Sequence, residues 1–287
     1  MSVSIPNPLW VRLQFSRDLF KMASLRARHF DGHFATLHQS GNHWIRHILS
    51  FAIAKHYGLP EQEHIGDTRL IGEPKLPPFY KNMPQVVLSH RICSSLVHNA
   101  IFRAMFTFPK YVILVRDLRA TLVSHYERFK GDYNCSFSEF LRGDVTGRKF
   151  DVDIWDCIRF MNAWGRVMER MPKQTTVLRY EDMKDDAARE AHRLWDFLGF
   201  PAANHALFVE AAHASTKDKM KQKEEPRVET AVVRMNNSDP ITWYSEEDRE
   251  FFLKVCRRYL RYHYGYDYSQ FVIPAAKPKL SVVRAAA

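Results

Sequence analysis

Residues 111–115, Tyr-Val-Ile-Leu-Val, are apolar at every position. A strand with one face in water alternates polar and apolar side chains. One without alternation is covered on both faces, as the inner strands of parallel sheets are. The stretch runs directly into RDLRATLVSHYERFK (116–130), where Leu122, Tyr126 and Phe129 share a helical face and Asp117 can cap the first turn. Strand feeding helix is half of a βαβ unit, and such units are the grammar of doubly wound α/β folds.

The grammar recurs along the chain. HFATLHQ (33–39) reads as a strand, SGN as a turn, and WIRHILSFAIAKHYG as a helix with Trp44, Ile48, Phe51 and Ile53 inward and Gly58 as C-cap ahead of Pro60. QVVLSH (85–90) and TTVLRY (175–180) are further short strands. A long helix is expected over 153–171, stopped by Pro172. Another follows over EDMKDDAAREAHRLWDFLGFP, closed by Gly199 and Pro201, and a last one runs from Ser245 to about Tyr264. Residues 60–84 carry five prolines and residues 215–240 are polar and lysine-rich, so both read as loops. The expectation is an α/β fold: a single P-loop-like domain with a central parallel sheet flanked by helices. It would occupy 31–272, between an N-terminal arm or helix (1–30) and a tail (273–287).

Composition narrows the function classes. The formal charge is +10 and hydrophobic residues make up 46%, so a packed core is affordable and an anionic partner is implied. The cations are spread along the chain instead of forming the stripe that nucleic acid requires, so no nucleic-acid partner is expected. No apolar run approaches the roughly 18 residues of a membrane span, and the start lacks the pattern of a secretory signal. Four scattered cysteines without a CxxC pair point to a reducing compartment, the cytoplasm.

The chemistry concentrates at strand ends. His38-Gln39-Ser40-Gly41-Asn42-His43 leads from a strand into a helix, where unpaired N–H groups can hold an anion; Gly41 allows close approach, and Ser40 and Asn42 add donors. The residues alone leave open whether this is an anion loop or a plain connection. There is no G-x-x-x-x-G-K-[ST] and no G-x-G-x-x-G, which disfavours a P-loop kinase and a nicotinamide dehydrogenase. His43 and His47 stand one turn apart, but no Glu follows His43 as an H-E-x-x-H zinc site requires; no metal is expected. The lysines of 217–223 read either as a solvated face or as a lid.

Four segments in order resemble the sulfotransferase family. TLHQSGNHW (36–44) resembles its sulfate-donor loop, T-[YF]-P-[KR]-S-G-[TN]-[TH]-W. YVILVRDLRATLVSHY resembles its 3′-phosphate motif, an Arg at a strand end with a Ser eight residues later, here Arg116 and Ser124. VLRYEDMKDD is similar to the segment whose tyrosine contacts adenine, here Tyr180. AAHASTKDKMK is similar to a T-S-F-x-x-M-K stretch, which puts Ser215 and Thr216 near the nucleotide. The resemblance implies transfer of a sulfuryl group from 3′-phosphoadenosine 5′-phosphosulfate (PAPS) to a hydroxyl or amine of a small-molecule acceptor. It also implies donor contacts from His38 to His43, stacking by Trp44, a 3′-phosphate role for Arg234, and His90 as the base; assembly as a homodimer stays open. Two lysines of the family pattern are missing, replaced by Gln39 in the donor loop and Leu88 before His90. His38, His43, Arg46 and Arg91 are the candidates to compensate, with His43 or Arg91 favoured. The alternative is a nucleotide-binding homologue impaired in catalysis. Phe79, Tyr80 and Phe137 are expected as apolar walls for the acceptor.

Overall fold

The computed structural model describes residues 5–20, 29–224 and 239–272. Strands β1 (Gly32–Thr36), β2 (Val86–Ser89), β3 (Lys110–Val115) and β4 (Thr175–Arg179) form one fully parallel sheet in the order β2-β1-β3-β4. Phe34 lies opposite both Leu88 and Val112, and Ile113 opposite Val177. The strands are joined and covered by helices α1 (Pro8–Ser16), α2 (Asn42–Tyr57), α3 (Ala100–Met105), α4 (Leu118–Tyr133), α5 (Phe137–Arg142) and α6 (Ile154–Arg170). After β4 come α7 (Tyr180–Asp185), α8 (Ala187–Leu198), α9 (His205–Ala214), α10 (Lys217–Gln222) and α11 (Glu246–Tyr259).

The missing alternation in β3 has its explanation in two cores. Tyr111, Ile113 and Val115 pack with Leu122, Trp155, Trp164 and Phe252 on one face. Val112 and Leu114 pack on the other with Phe34, Ile48, Trp195 and Phe208. Gly58 and Gly199 close α2 and α8 in the left-handed conformation, and Ser245 with Asp248 forms the capping box that starts α11. No helix among the described residues is long and apolar enough to cross a membrane.

Several boundaries differ from the sequence expectation, each for a local reason. The strand expected over 33–39 stops at Thr36, because Gln39 (φ 56°) and Gly41 (φ 91°) hold the chain in a turn. The helix expected over 181–201 breaks at Asp186, whose φ of −155° is non-helical and whose carboxylate caps α8 through the Arg189 amide. Part of the lysine-rich 215–240 stretch is helical: Met220 of α10 is buried against Ile65 and Trp44, which anchors the turn despite its charge. The last helix ends at Tyr259, and Tyr262, Tyr264, Tyr266 and Tyr268 then run as buried, non-helical chain, the Tyr264 hydroxyl donating to the Met161 carbonyl. Residues 5–20 are fastened to the domain by buried Val11 and by the Asp18–Arg159 pair on α6.

One buried charge cluster ties the C-terminal segment to the sheet. Asp117 caps α4 through the Arg119 amide and also receives the Arg119 guanidinium, 2.9 Å at Nε and 2.7 Å at Nη2. Arg119, fully buried, donates further to the carbonyls of Asp267 and Gln270. Arg119→Met keeps the volume but leaves Asp117 as an uncompensated buried carboxylate. The expected loss of unfolding free energy is about 3–5 kcal/mol, read by urea denaturation; a loss below about 1 kcal/mol would show the pair to be dispensable.

Candidate active site

All four strands deliver a sequence-selected residue to one edge of the sheet. The end of β1 leads to His38–His43, β2 to His90, β3 to Arg116 and β4 to Tyr180. Ligands of open parallel sheets bind at this carboxyl edge, where helix N-termini point outward.

The loop after β1 presents backbone donors. Among the described residues, the amides of Gln39, Ser40, Gly41, Asn42 and His43 donate to no protein acceptor, while the Trp44 and Ile45 amides already bond to the Gly41 carbonyl. Left-handed φ at Gln39 and Gly41 gathers such amides into a concavity suited to an anion. Ser40 is fully buried and its hydroxyl donates back to the Leu37 carbonyl, so it closes the turn from within. Gly41 is needed sterically as well as for its φ: a Cβ there would lie 2.7 Å from Cδ2 of Tyr180.

Arg116 underpins this loop. Its Nη1 donates to the Gln39 carbonyl at 3.0 Å, and its guanidinium carbon sits 4.5 Å from the centre of the Tyr180 ring. The adjacent Asp117 is committed to Arg119, and no carboxylate among the described residues pairs with Arg116, whose buried Nε has no partner. Ser124 is half-buried on α4. Trp44 meets Tyr180 edge-on, ring centres 6.1 Å apart, and the two half-buried rings form an aromatic corner beside the start of α2.

Next to the loop lies a cavity of about 250 Å³ lined by His38, Gln39, Asn42, His43, His90, His125, Arg128, Phe129, Asp151 and Val152. His90 is oriented within it. Its Nδ1 is 3.0 Å from the Thr36 carbonyl and 2.8 Å from the Thr36 hydroxyl. A carbonyl only accepts, so Nδ1 carries the proton and Nε2 keeps its lone pair. His38 stacks on the His90 ring at 3.9 Å. Burial, followed by the neighbouring charges of Arg46 and Arg128, holds the His90 pKa below the ordinary value of 6.5. Burial and the adjacent His90, His125 and Arg128 bring His38 to about 2, and burial with Arg46 brings His43 to about 4. All three are neutral at pH 7.

The four candidates for compensating charge are placed differently in the structure. His43 accepts from Arg46 at Nδ1 (3.2 Å) and adds no cation. Arg46 is buried behind His43, outside the cavity lining, with Nη2 on the Ile65 carbonyl. Arg91 is exposed and does not line the cavity; among the described residues its carbonyl alone is engaged, by the Trp164 indole. The cavity cation is Arg128; neither it nor His125 is among the residues expected from the sequence. Both were traceable, since Ser124, His125 and Arg128 fall within one turn of a helix leaving the site. The apolar-wall expectation also changes: Phe79 is exposed, Phe137 is a core residue, and neither they nor Tyr80 line the cavity.

Elsewhere, Ser215 accepts from His47 Nδ1 (2.7 Å) and donates to the Ala211 carbonyl (2.7 Å), a buried strap between α9 and α2. Thr216 is exposed at the start of α10 and makes no capping bond. Arg234 lies outside the described residues.

The family model described as "Sulfotransferase domain" matches residues 34–256. The curated protein "Flavonol sulfotransferase-like" from Flaveria bidentis is 24% identical over an alignment of 199 residues that covers 65% of this chain and 62% of that relative's length. Among solved structures, mouse sulfotransferase SULT7A1 complexed with PAP aligns with a TM-score of 0.54 at 16% identity, covering 85% of this chain and 90% of that one. Retinol dehydratase in a complex with retinol and PAP aligns with a TM-score of 0.54 at 13% identity, covering 90% and 88%. At these identities the likeness is one of fold.

Proposed function

The chain belongs to the sulfotransferase family, and we propose that it transfers the sulfuryl group of PAPS to a hydroxyl or amine of a small acceptor. The observation that carries this reading is the fixed tautomer of His90: an unprotonated Nε2 at a cavity wall, beside a loop of unpaired amides.

The residues fit the donor. The amides of 39–43 suit its 5′-phosphosulfate, Arg116 with Ser124 suits the 3′-phosphate, and Trp44 with Tyr180 suits adenine. Arg116 keeps Nε and Nη2 for a ligand while Nη1 holds the loop. His90 Nε2 takes the acceptor's proton as the acceptor oxygen or nitrogen attacks sulfur, and Thr36 keeps the resulting imidazolium oriented. Catalysis is then positioning plus neutralisation of charge on the leaving phosphate. A polar cavity of this size favours a compact acceptor. Among the described residues no cysteine forms a disulfide, and Cys93, Cys157 and Cys256 are buried, which supports action in the reducing cytoplasm.

A pH profile tests the base directly. The working form of His90 is neutral and its pKa is lowered, so activity stays full as pH falls through 6.5 and is lost only below it. The acid limb of kcat/KM is expected clearly under pH 6.5; a half-point at or above that value would contradict the assignment.

A further inference from the structure

Group transfer moves charge. As the acceptor bonds to sulfur, the S–O bond to the 5′-phosphate breaks and its electron pair stays on the phosphate oxygen, while the acceptor proton passes to His90. The departing bisphosphate therefore gains one negative charge, which a fixed cation must meet. The donor loop offers only the neutral Gln39, and the three histidines nearest to it are neutral.

We propose that Arg128 of α4 is the catalytic cation of this site, its guanidinium set against the oxygens that gain charge at the leaving phosphate. The inference rests on the sulfotransferase reading above. Among the described residues that line the cavity, Arg128 is the only one with a permanent positive charge. It forms no ion pair or hydrogen bond among them, and its Nε is buried without a partner. Its guanidinium carbon lies 5.2 Å from the centre of the Phe129 ring, but leaving a half-buried guanidinium without a hydrogen-bond partner costs about 1–3 kcal/mol, and such groups persist where a ligand completes them. Its charge is felt at His38, His43 and His90, so it stands close to the reacting centre. Glu224, the carboxylate that acts on it through space, is itself paired with Lys221. Burial tends to draw the proton off Arg128 but cannot neutralise a guanidinium at working pH.

The test is single-turnover sulfuryl transfer with saturating labelled PAPS, comparing the wild type with Arg128→Gln and Arg128→Lys. Arg128→Gln is expected to lose about 10²–10³-fold in rate, the scale for removing one transition-state donor. Arg128→Lys should recover at least about tenfold of that, with acceptor KM and bisphosphate affinity within about threefold of wild type. Guanidinium ion added to Arg128→Ala should restore part of the rate, a rescue that no merely structural role would give. Wild-type rate in Arg128→Gln overturns the proposal. So does a defect confined to acceptor KM, which would make Arg128 an acceptor clamp. If Arg128→Gln fails to fold, Arg128→Lys and the guanidinium rescue decide, and no rescue with a lysine variant as slow as alanine overturns it. Absence of transfer by the wild type would instead count against the sulfotransferase reading itself.

Discussion

Arg116→Ala is expected to weaken binding of adenosine 3′,5′-bisphosphate by about 30- to 1,000-fold. The guanidinium would lose two charge-assisted hydrogen bonds to the 3′-phosphate, together about 2–4 kcal/mol, and each 1.4 kcal/mol is about a factor of ten. The residue has no competing commitment to a carboxylate, because Asp117 is held by Arg119. It does brace the loop through the Gln39 carbonyl and stacks on Tyr180. Arg116→Lys separates the two roles: the point charge survives, while the fork that reaches phosphate and loop together is lost. Calorimetric titration should therefore rank wild type above lysine above alanine. Equal affinity in all three would remove Arg116 from the nucleotide site.

His90→Ala should show the opposite split. Turnover is expected to fall by about 10²–10⁴-fold, the range for a lost general base, while bisphosphate affinity changes by no more than about threefold. The reason is geometric. His90 reaches the cavity from β2, whereas the loop amides, Arg116 and the aromatic corner come from β1, α2, β3 and β4. Removing its ring also leaves His38 without a stacking partner, so His90→Gln is the better-packed control. Unchanged turnover in both variants would exclude His90 from the mechanism.

Much of this architecture is legible in the sequence because the strands are short, β3 is apolar throughout 111–115, and β1, β3 and β4 lead directly into helices. That signature fixes a parallel sheet, and a parallel sheet puts its loops at one edge, which singles out His38–His43; His90, Arg116 and Tyr180 follow from the resemblance to the sulfotransferase motifs. What escaped depends on contacts between distant segments. No local pattern shows that Met220 docks on Trp44 and Ile65 and makes a lysine-rich stretch helical, nor that the tyrosines after Tyr259 bury themselves in non-helical chain. Arg128 escaped for a related reason. Nearness to the donor loop along the chain makes His38, His43, Arg46 and Arg91 the candidates, with His43 or Arg91 favoured, but α2 buries Arg46 behind His43, off the cavity lining, and Arg91 is exposed, while α4 brings Arg128 back to the cavity. Protonation was equally hidden: a histidine near a phosphate site reads as a cation until burial is known, and here burial leaves His38 and His43 neutral.

The charge balance then takes on a definite meaning. A surplus of +10 suggests a polyanionic partner, yet the cations placed to hold one are few. Arg116 suits the distal phosphate and Arg128 the reacting one, and the backbone amides of 39–43 supply the rest without any side-chain charge.

The account is tested most directly by incubating the protein with PAPS labelled in its sulfate and a panel of small hydroxyl- and amine-bearing acceptors, then separating the products. It predicts label on at least one acceptor, stoichiometric with adenosine 3′,5′-bisphosphate, from the wild type and not from His90→Ala. Label that stays in the donor with every acceptor, while the bisphosphate still binds, would contradict it and leave a nucleotide-binding protein without transferase activity.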